Sequence, residues 1–212
     1  METLRERKKQ RTRESLLRVA IELFTTRGYE QTTVDDIADA VGVSQRTFFR
    51  YFAGGKEEAA LALDEMTVAH FVDGVRARPA HEPPLEALRQ AVLDGWDTLQ
   101  EVVESVAPVE WFLDMYRVIE STPVLLAAHL RRSAEIEEVL TRVLAEREGL
   151  DAGTDPRPRL LVAVFSGVMR VTERQWLVDG EFSLEAMREL TASYLELLGP
   201  ALTGKWSPYT KT

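Results

Sequence analysis

Cysteine and asparagine are both absent from the 212-residue sequence, lysine occurs only five times and histidine three. The first absence excludes disulfides, thiolate metal sites and cysteine nucleophiles, and the second removes any acceptor for N-linked glycans. No apolar run approaches the ~18 residues that a membrane span needs, and the basic, polar first residues lack the apolar stretch of a signal peptide. A cytoplasmic protein with no membrane partner is expected. What is present, 45% hydrophobic and 29% charged residues, is the composition of an ordinary globular chain with length enough for one or two domains and a sizeable core.

The formal net charge of −9 is unevenly spread. Residues 1 to 56 carry eleven Lys or Arg against eight Asp or Glu, a balance of +3, which leaves −12 on the remainder. Arg5, Arg7, Lys8, Lys9, Arg11 and Arg13 face only Glu2 and Glu6, so the chain opens on a basic arm. Such an arm is commonly a solvated, partly disordered terminus, and it points to nucleic acid only beside a second motif.

Apolar residues recur at three and four throughout, and no β-branched alternation bounded by turn residues interrupts them, so the chain reads as all-α. A first helix is expected over about Thr12 to Arg27, burying Leu17, Ala20, Ile21 and Phe24 and stopping at Gly28. Thr33 is an N-cap with Asp36 three residues on in a capping-box arrangement, and Gly42 ends that short helix. Ser44 caps another almost at once, with Val43 placed to staple onto Phe48. Beyond the Ala53-Gly54-Gly55 break, longer helices are expected at about Lys56 to Arg78, Leu85 to Val103, Val109 to Glu120, Pro123 to Glu148, Pro158 to Val178 and Leu184 to Leu198. The breakers Pro79, Pro83, Pro108, Gly149, Gly153, Pro156 and Gly180 fall between them. Residues 204–212 read as a tail whose single candidate anchor is Trp206.

Thr33 to Phe52 has the size and turn chemistry of a helix-turn-helix, two short helices of which the second enters a major groove. Phe48 and Phe52, four apart, pack inward, whereas Gln45, Arg46, Phe49 and Arg50 face outward. Gln and Arg are the side chains that reach adenine and guanine edges, Thr47 and Tyr51 can donate to phosphate, and an exposed Phe49 can meet a thymine methyl or a sugar. The competing reading is an ordinary helical hairpin with Phe49 buried. Lys56 favours the first reading, because a cation at a helix start opposes the macrodipole unless a phosphate lies there. Gly54-Gly55-Lys56 is not a nucleotide-binding loop, since the earlier glycine is missing and Glu57 stands where Ser or Thr is needed.

Leu17 to Phe24, Gly28-Tyr29, Thr32-Thr33-Val34, Ile37-Ala38, Gly42-Val43-Ser44 and Thr47-Phe48-Phe49-Arg50-Tyr51-Phe52 with Lys56 together resemble the DNA-binding domain of the TetR family over residues 12 to 60. The resemblance implies an all-helical homodimeric repressor with an N-terminal three-helix helix-turn-helix domain and a divergent helical domain for a small effector. By motif position it implies that Thr33 and Lys56 touch phosphates, that Thr47 and Tyr51 hold the DNA backbone and that Gln45, Arg46 and Phe49 face bases, with Ser44 and Arg50 also among the DNA-binding residues. Phe49 departs from the tyrosine common at its position, so a hydroxyl contact is lost there.

The rest of the chain carries no comparable motif. His70, His81 and His129 are too scattered for a metal site, no catalytic Ser and Asp arrangement accompanies them, and neither an enzyme activity nor a cofactor is expected. Trp96, Trp111, Phe112, Met115 and Tyr116, with Phe165 and Met169, either fill a core or line a cavity for a small, largely apolar molecule. The last two long helices, with Leu160, Val164, Val168 and Val171 on one and Leu184, Met187, Leu190, Tyr194 and Leu198 on the other, are the candidate homodimer contact. The division expected is a basic arm and DNA-binding domain over 1–56, an effector-binding and dimerisation domain over 57–203 and the tail. The function expected is a ligand-responsive repressor of a palindromic, double-stranded DNA operator. Its rivals are an effector-independent activator or DNA-organising protein, and a helical enzyme.

Overall fold

The computed structural model describes residues 4–104, 106–179 and 183–203, so Trp206 and the expected tail lie outside the described residues. Among these the chain is helical, with α1 Leu4–Thr26, α2 Val34–Val41, α3 Gln45–Tyr51, α4 Gly55–Ala60, α5 Ala62–Ala77, α6 Pro84–Glu104, α7 Val109–Ser121, α8 Pro123–Glu148, α9 Arg157–Asp179 and α10 Leu184–Thr203. No described helix is long and apolar enough to cross a membrane.

Two compact units form. The first comprises residues 1–70 and 98–136, the second residues 71–97 and 137–212. The unit holding the helix-turn-helix therefore extends beyond residue 56, because α1 packs on α7 as well as on α2 and α4. Leu16, Leu17, Ala20, Ile21 and Phe24 of α1 are buried at helical spacing. This is the expected face with Leu16 added. α1 begins eight residues before the expected Thr12, so the basic arm from Leu4 onward is helix and not irregular chain. Its Arg, Lys, Glu and Gln residues are good helix formers, and they extend a nucleus that the buried stretch already fixes.

The turns follow the local chemistry. At the end of α1 Gly28 takes a positive φ of 96°, and Thr32, buried behind it, donates its hydroxyl to the Gly28 carbonyl at 2.8 Å. Thr33 caps α2 in a complete capping box: its Oγ1 accepts from the Asp36 N–H at 3.1 Å, and the Asp36 carboxylate accepts from the Thr33 N–H at 2.8 Å. Those bonds, strongest from the Thr33 side chain, hold the Asp36 carboxyl below its usual range. Gly42 closes α2 at φ 73°, with its N–H on the Asp39 carbonyl and the Val43 N–H on that of Ala38, the Schellman pattern.

α4 and α5 replace the single helix expected over 56 to 78. Leu61 leaves the helix at φ −96° and ψ 2°. The five consecutive residues Ala59 to Leu63 are all buried, and a straight helix would turn some of them to solvent. The break lets the whole run face inward.

In the second unit α9 packs on α10, and Phe71 stacks on Phe165 with centroids 5.6 Å apart. The turn between α5 and α6 is held by Arg147, whose Nη2 donates to the carbonyls of Pro79 and Glu82 at 2.6 and 2.7 Å.

A Cβ at Gly42 would meet no heavy atom within 4 Å, so backbone strain alone opposes a side chain there. Gly42→Ala is expected to lower stability by ~1–2 kcal/mol, the cost of the left-handed conformation for an L-residue. Gly42→Asn should recover part of that loss. Urea unfolding of both variants checks it, and an Ala variant as stable as the parent would contradict the assigned geometry.

Candidate nucleic-acid interface

Seven residues are too few for a free-standing helix, so α3 depends on what it packs against. Phe48 and Phe52 are fully buried, their ring centroids 5.3 Å apart. Their burial is worth roughly 1.5–3 kcal/mol each and fixes the roll of the helix. The Arg13 guanidinium of α1 lies 5.4 Å from the Phe52 ring centroid. With those two rings inward, Gln45, Arg46, Phe49 and Arg50 are exposed, and Thr47 and Tyr51 sit at the margin, half-buried. Phe49 is 44% exposed and touches Phe48 edge-on at 5.7 Å, which rules out the hairpin with a buried Phe49.

Ser44 begins α3 by accepting from the Thr47 N–H at 3.2 Å, and the Ser44 and Thr47 hydroxyls lie 3.0 Å apart. The Arg50 guanidinium stands 5.2 Å from the Tyr51 ring centroid. On the preceding helix the Asp35 carboxylate accepts a hydrogen bond from the Gln45 side-chain amide. Nothing in the local pattern announces this contact, which joins residues ten apart across the turn.

Two expected phosphate contacts are engaged within the chain. The Thr33 hydroxyl lies 2.6 Å from an Asp36 carboxylate oxygen, so its proton is spent inside the capping box. The Lys56 ammonium donates to the carbonyls of Tyr29 and Thr32 at 2.8 and 3.2 Å and stands 4.1 Å from the Tyr29 ring centroid. Those carbonyls supply the negative partner that the helix start lacks. Burial, with Glu57 and Glu30 nearby, pushes the Tyr29 phenol up to about 12, so the ring beside Lys56 is neutral at ordinary pH.

Sequence also gave no sign of the ion pairs between α4–α5 and the first half of α8. Glu57 pairs with Arg131 at 3.2 Å, Asp64 with His129 at 3.2 Å and Glu65 with Arg132 at 2.8 Å. Each joins residues 65 or more positions apart, beyond any local signal.

The seven candidate effector contacts fall into two groups. Trp111, Phe112, Met115 and Tyr116 lie on α7 in the first unit, where Phe112 and Met115 are buried and Tyr116 meets Phe112 edge-on at 5.2 Å. Trp96, Phe165 and Met169 belong to the second unit, where the Trp96 indole Nε1 is buried with no hydrogen-bond partner. A cleft of about 200 Å³ in that unit is lined by other residues, among them Pro84, Leu144, Leu150, Pro158 and Leu161, with Glu148 and Arg157 at its polar edge. No cluster of three or more His, Cys, Asp or Glu able to hold a metal occurs among the described residues.

A short helix presenting Gln, Arg, Phe and Arg outward from a three-helix core is a DNA-reading helix-turn-helix. The family model described as bacterial regulatory proteins, tetR family, matches residues 16–63, and that of the MftR C-terminal domain matches residues 82–202. The HTH-type transcriptional regulator TcmR of Streptomyces glaucescens is 44% identical over 207 residues, 96% of this chain and 89% of that protein. MftR of Mycobacterium tuberculosis is 32% identical over 172 residues, 78% of this chain and 80% of its own. The fold is that of SmeT in its triclosan complex, at TM-score 0.60 and 18% identity over 95% of this chain and 97% of the other. Thermus thermophilus FadR, described as a repressor in complex with lauroyl-CoA, superposes at TM-score 0.53 and 25% identity over 94% of this chain and all of the other. The chain belongs to the TetR family of DNA-binding transcriptional regulators.

Proposed function

We propose that the chain is a cytoplasmic, homodimeric repressor, released from a palindromic operator by a small, largely apolar effector. DNA binding is assigned to residues 1–56, effector binding and dimerisation to residues 57–203. The observation that carries the reading is the exposed face of α3, where Gln45, Arg46, Phe49 and Arg50 stand clear while Phe48 and Phe52 are buried. Arg46 and Gln45 read base edges, Ser44, Thr47, Arg50 and Tyr51 follow the backbone, and Lys56 and Thr33 support the phosphate-facing edge from within the fold.

One seven-residue helix reads too little sequence, so two copies must act on two half-sites. Leu160, Val164 and Val171 of α9 are 62%, 38% and 57% exposed, and Val178 on the same helix is 79% exposed. At ~100° per residue these four and Gly167 fall within about 60° of one another, an apolar stripe from Leu160 to Val171 that resumes at Val178, with a glycine that lets a partner helix approach. On α10 Leu197 and Leu202 are open, while Met187, expected in the contact, is buried within the chain. The proposed dimer contact is therefore the α9 stripe with the open end of α10.

Trp111, Phe112, Met115 and Tyr116 in the first unit, and separately Trp96, Phe165 and Met169 in the second, are the proposed contacts for an apolar effector. The unpaired Trp96 N–H supports a ligand that carries a hydrogen-bond acceptor, since a buried donor without a partner costs ~1–3 kcal/mol. Triclosan and lauroyl-CoA, the molecules bound by SmeT and FadR, are the first compounds to try. Release requires the ligand to prefer a conformation that no longer fits DNA, and α7, which packs directly on α1, offers a route by which it acts.

Arg46→Ala should weaken binding to the selected operator by about 1–3 kcal/mol while leaving binding to random DNA nearly unchanged. Filter binding measures both, and unchanged operator affinity would remove α3 from the groove. Val171→Arg should turn the dimer into a monomer in sedimentation experiments at micromolar concentration and abolish operator binding. A parent chain that sediments as a monomer yet binds its operator would overturn the dimer. Trp111→Ala should bind operator as the parent does but resist release by an apolar compound that releases the parent; full release of the variant would take Trp111 out of the sensor.

A further inference from the structure

The contact between Asp35 and Gln45 sets which atoms of the recognition helix face DNA. An ionised carboxylate only accepts, so the Gln45 atom beside it is the amide nitrogen, and the amide has one orientation instead of two. One N–H is spent on Asp35. The second N–H and the carbonyl oxygen remain, and these are the donor and acceptor that adenine N7 and the adenine N6 amino group require in the major groove. Thymine, cytosine and guanine do not present that pair.

Asp35 stands in the first turn of α2, where the macrodipole favours a carboxylate, but it takes no part in the side-chain cap. The cap of that helix is completed by Thr33 and Asp36. At the DNA-facing edge a further negative charge opposes the phosphates and lowers affinity for every sequence. An acidic residue placed there and bonded to a base-reading side chain trades general affinity for discrimination, because a side chain already held in its reading geometry loses less freedom on binding.

We propose that Asp35 is the positioning residue of base recognition: it orients the Gln45 amide so that the chain reads an adenine in each half-site. The proposal rests on the reading that α3 enters the major groove.

The test is selection of bound sequences from a randomised double-stranded DNA library by the full chain and by Gln45→Ala, Arg46→Ala, Asp35→Ala and Asp35→Asn, with affinity for a random-sequence duplex measured alongside. The parent should fix an adenine at one position per half-site, and Gln45→Ala should lose that preference about five- to a hundredfold. Asp35→Ala should relax the same position and no other, while its affinity for the random duplex rises. Asp35→Asn, which keeps an acceptor for the Gln45 amide but removes the charge, should retain most of the adenine preference and share the rise in general affinity. That split is not produced by a general loss of α2 structure, which would relax every position together, and thermal melting of each variant provides an independent check.

If Gln45→Ala and Arg46→Ala both leave the selected sequences unchanged, the docking of α3 fails and this inference with it. If those two variants alter the sequences but Asp35→Ala leaves the adenine preference intact, or if the Gln45-dependent base is not adenine, docking stands and the positioning role of Asp35 is overturned.

Discussion

The burial of two phenylalanine rings is the constraint on which the DNA-reading surface depends. α3 has neither the length to be stable in water nor an apolar stripe of its own beyond Phe48 and Phe52, both fully buried. Once those rings are seated, the roll of the helix about its axis is fixed, and Gln45, Arg46, Phe49 and Arg50 are carried outward by geometry. Recognition and core packing are thus two faces of one short element. The sharp Gly42 turn sets where that element begins, and Ser44 sets its first hydrogen bond.

Around this core the chain uses its polar groups mainly to hold connections. Lys56 closes the α1–α2 connection by binding the Tyr29 and Thr32 carbonyls, Thr32 ties the turn back to Gly28, and Arg147 clasps the turn before α6. The ion pairs from α8 to α4 and α5 include exposed members and are individually worth little, ~0.2–1 kcal/mol. Their value is placement: together with the packing of α7 on α1 they join α7 and the first half of α8 to the helices that carry the recognition surface. A signal reaching α7 need cross no flexible linker to reach α1.

The exposed stripe on α9 is the counterpart of the buried stripe on α1. Both are apolar residues at helical spacing, but Leu17, Ile21 and Phe24 are covered by the chain itself, whereas Leu160, Val171 and Val178 are open. The contrast is the physical basis on which the stripe is proposed as the contact for a second copy.

Sequence by itself determined the features that depend on neighbours a few positions apart. Thr33, Asp36, Gly42 and Ser44 specify caps and turns through bonds to adjacent backbone, and Pro123 and Glu148 bound α8 at the expected residues. Periodicity was enough to separate Phe48 and Phe52 from Phe49, because a helix turns by a fixed angle per residue. Tertiary structure decided whatever depends on distant neighbours. Leu61 breaks a helix that the local pattern would continue, since five successive residues there are buried by other elements. Lys56 finds carbonyls 24 and 27 residues away, Gln45 finds Asp35 across a turn, and the aromatic residues of α7 and those of α6 and α9 fall in different compact units. Partners of that kind are set by how helices pack, and a one-dimensional pattern records only which face of each helix is apolar.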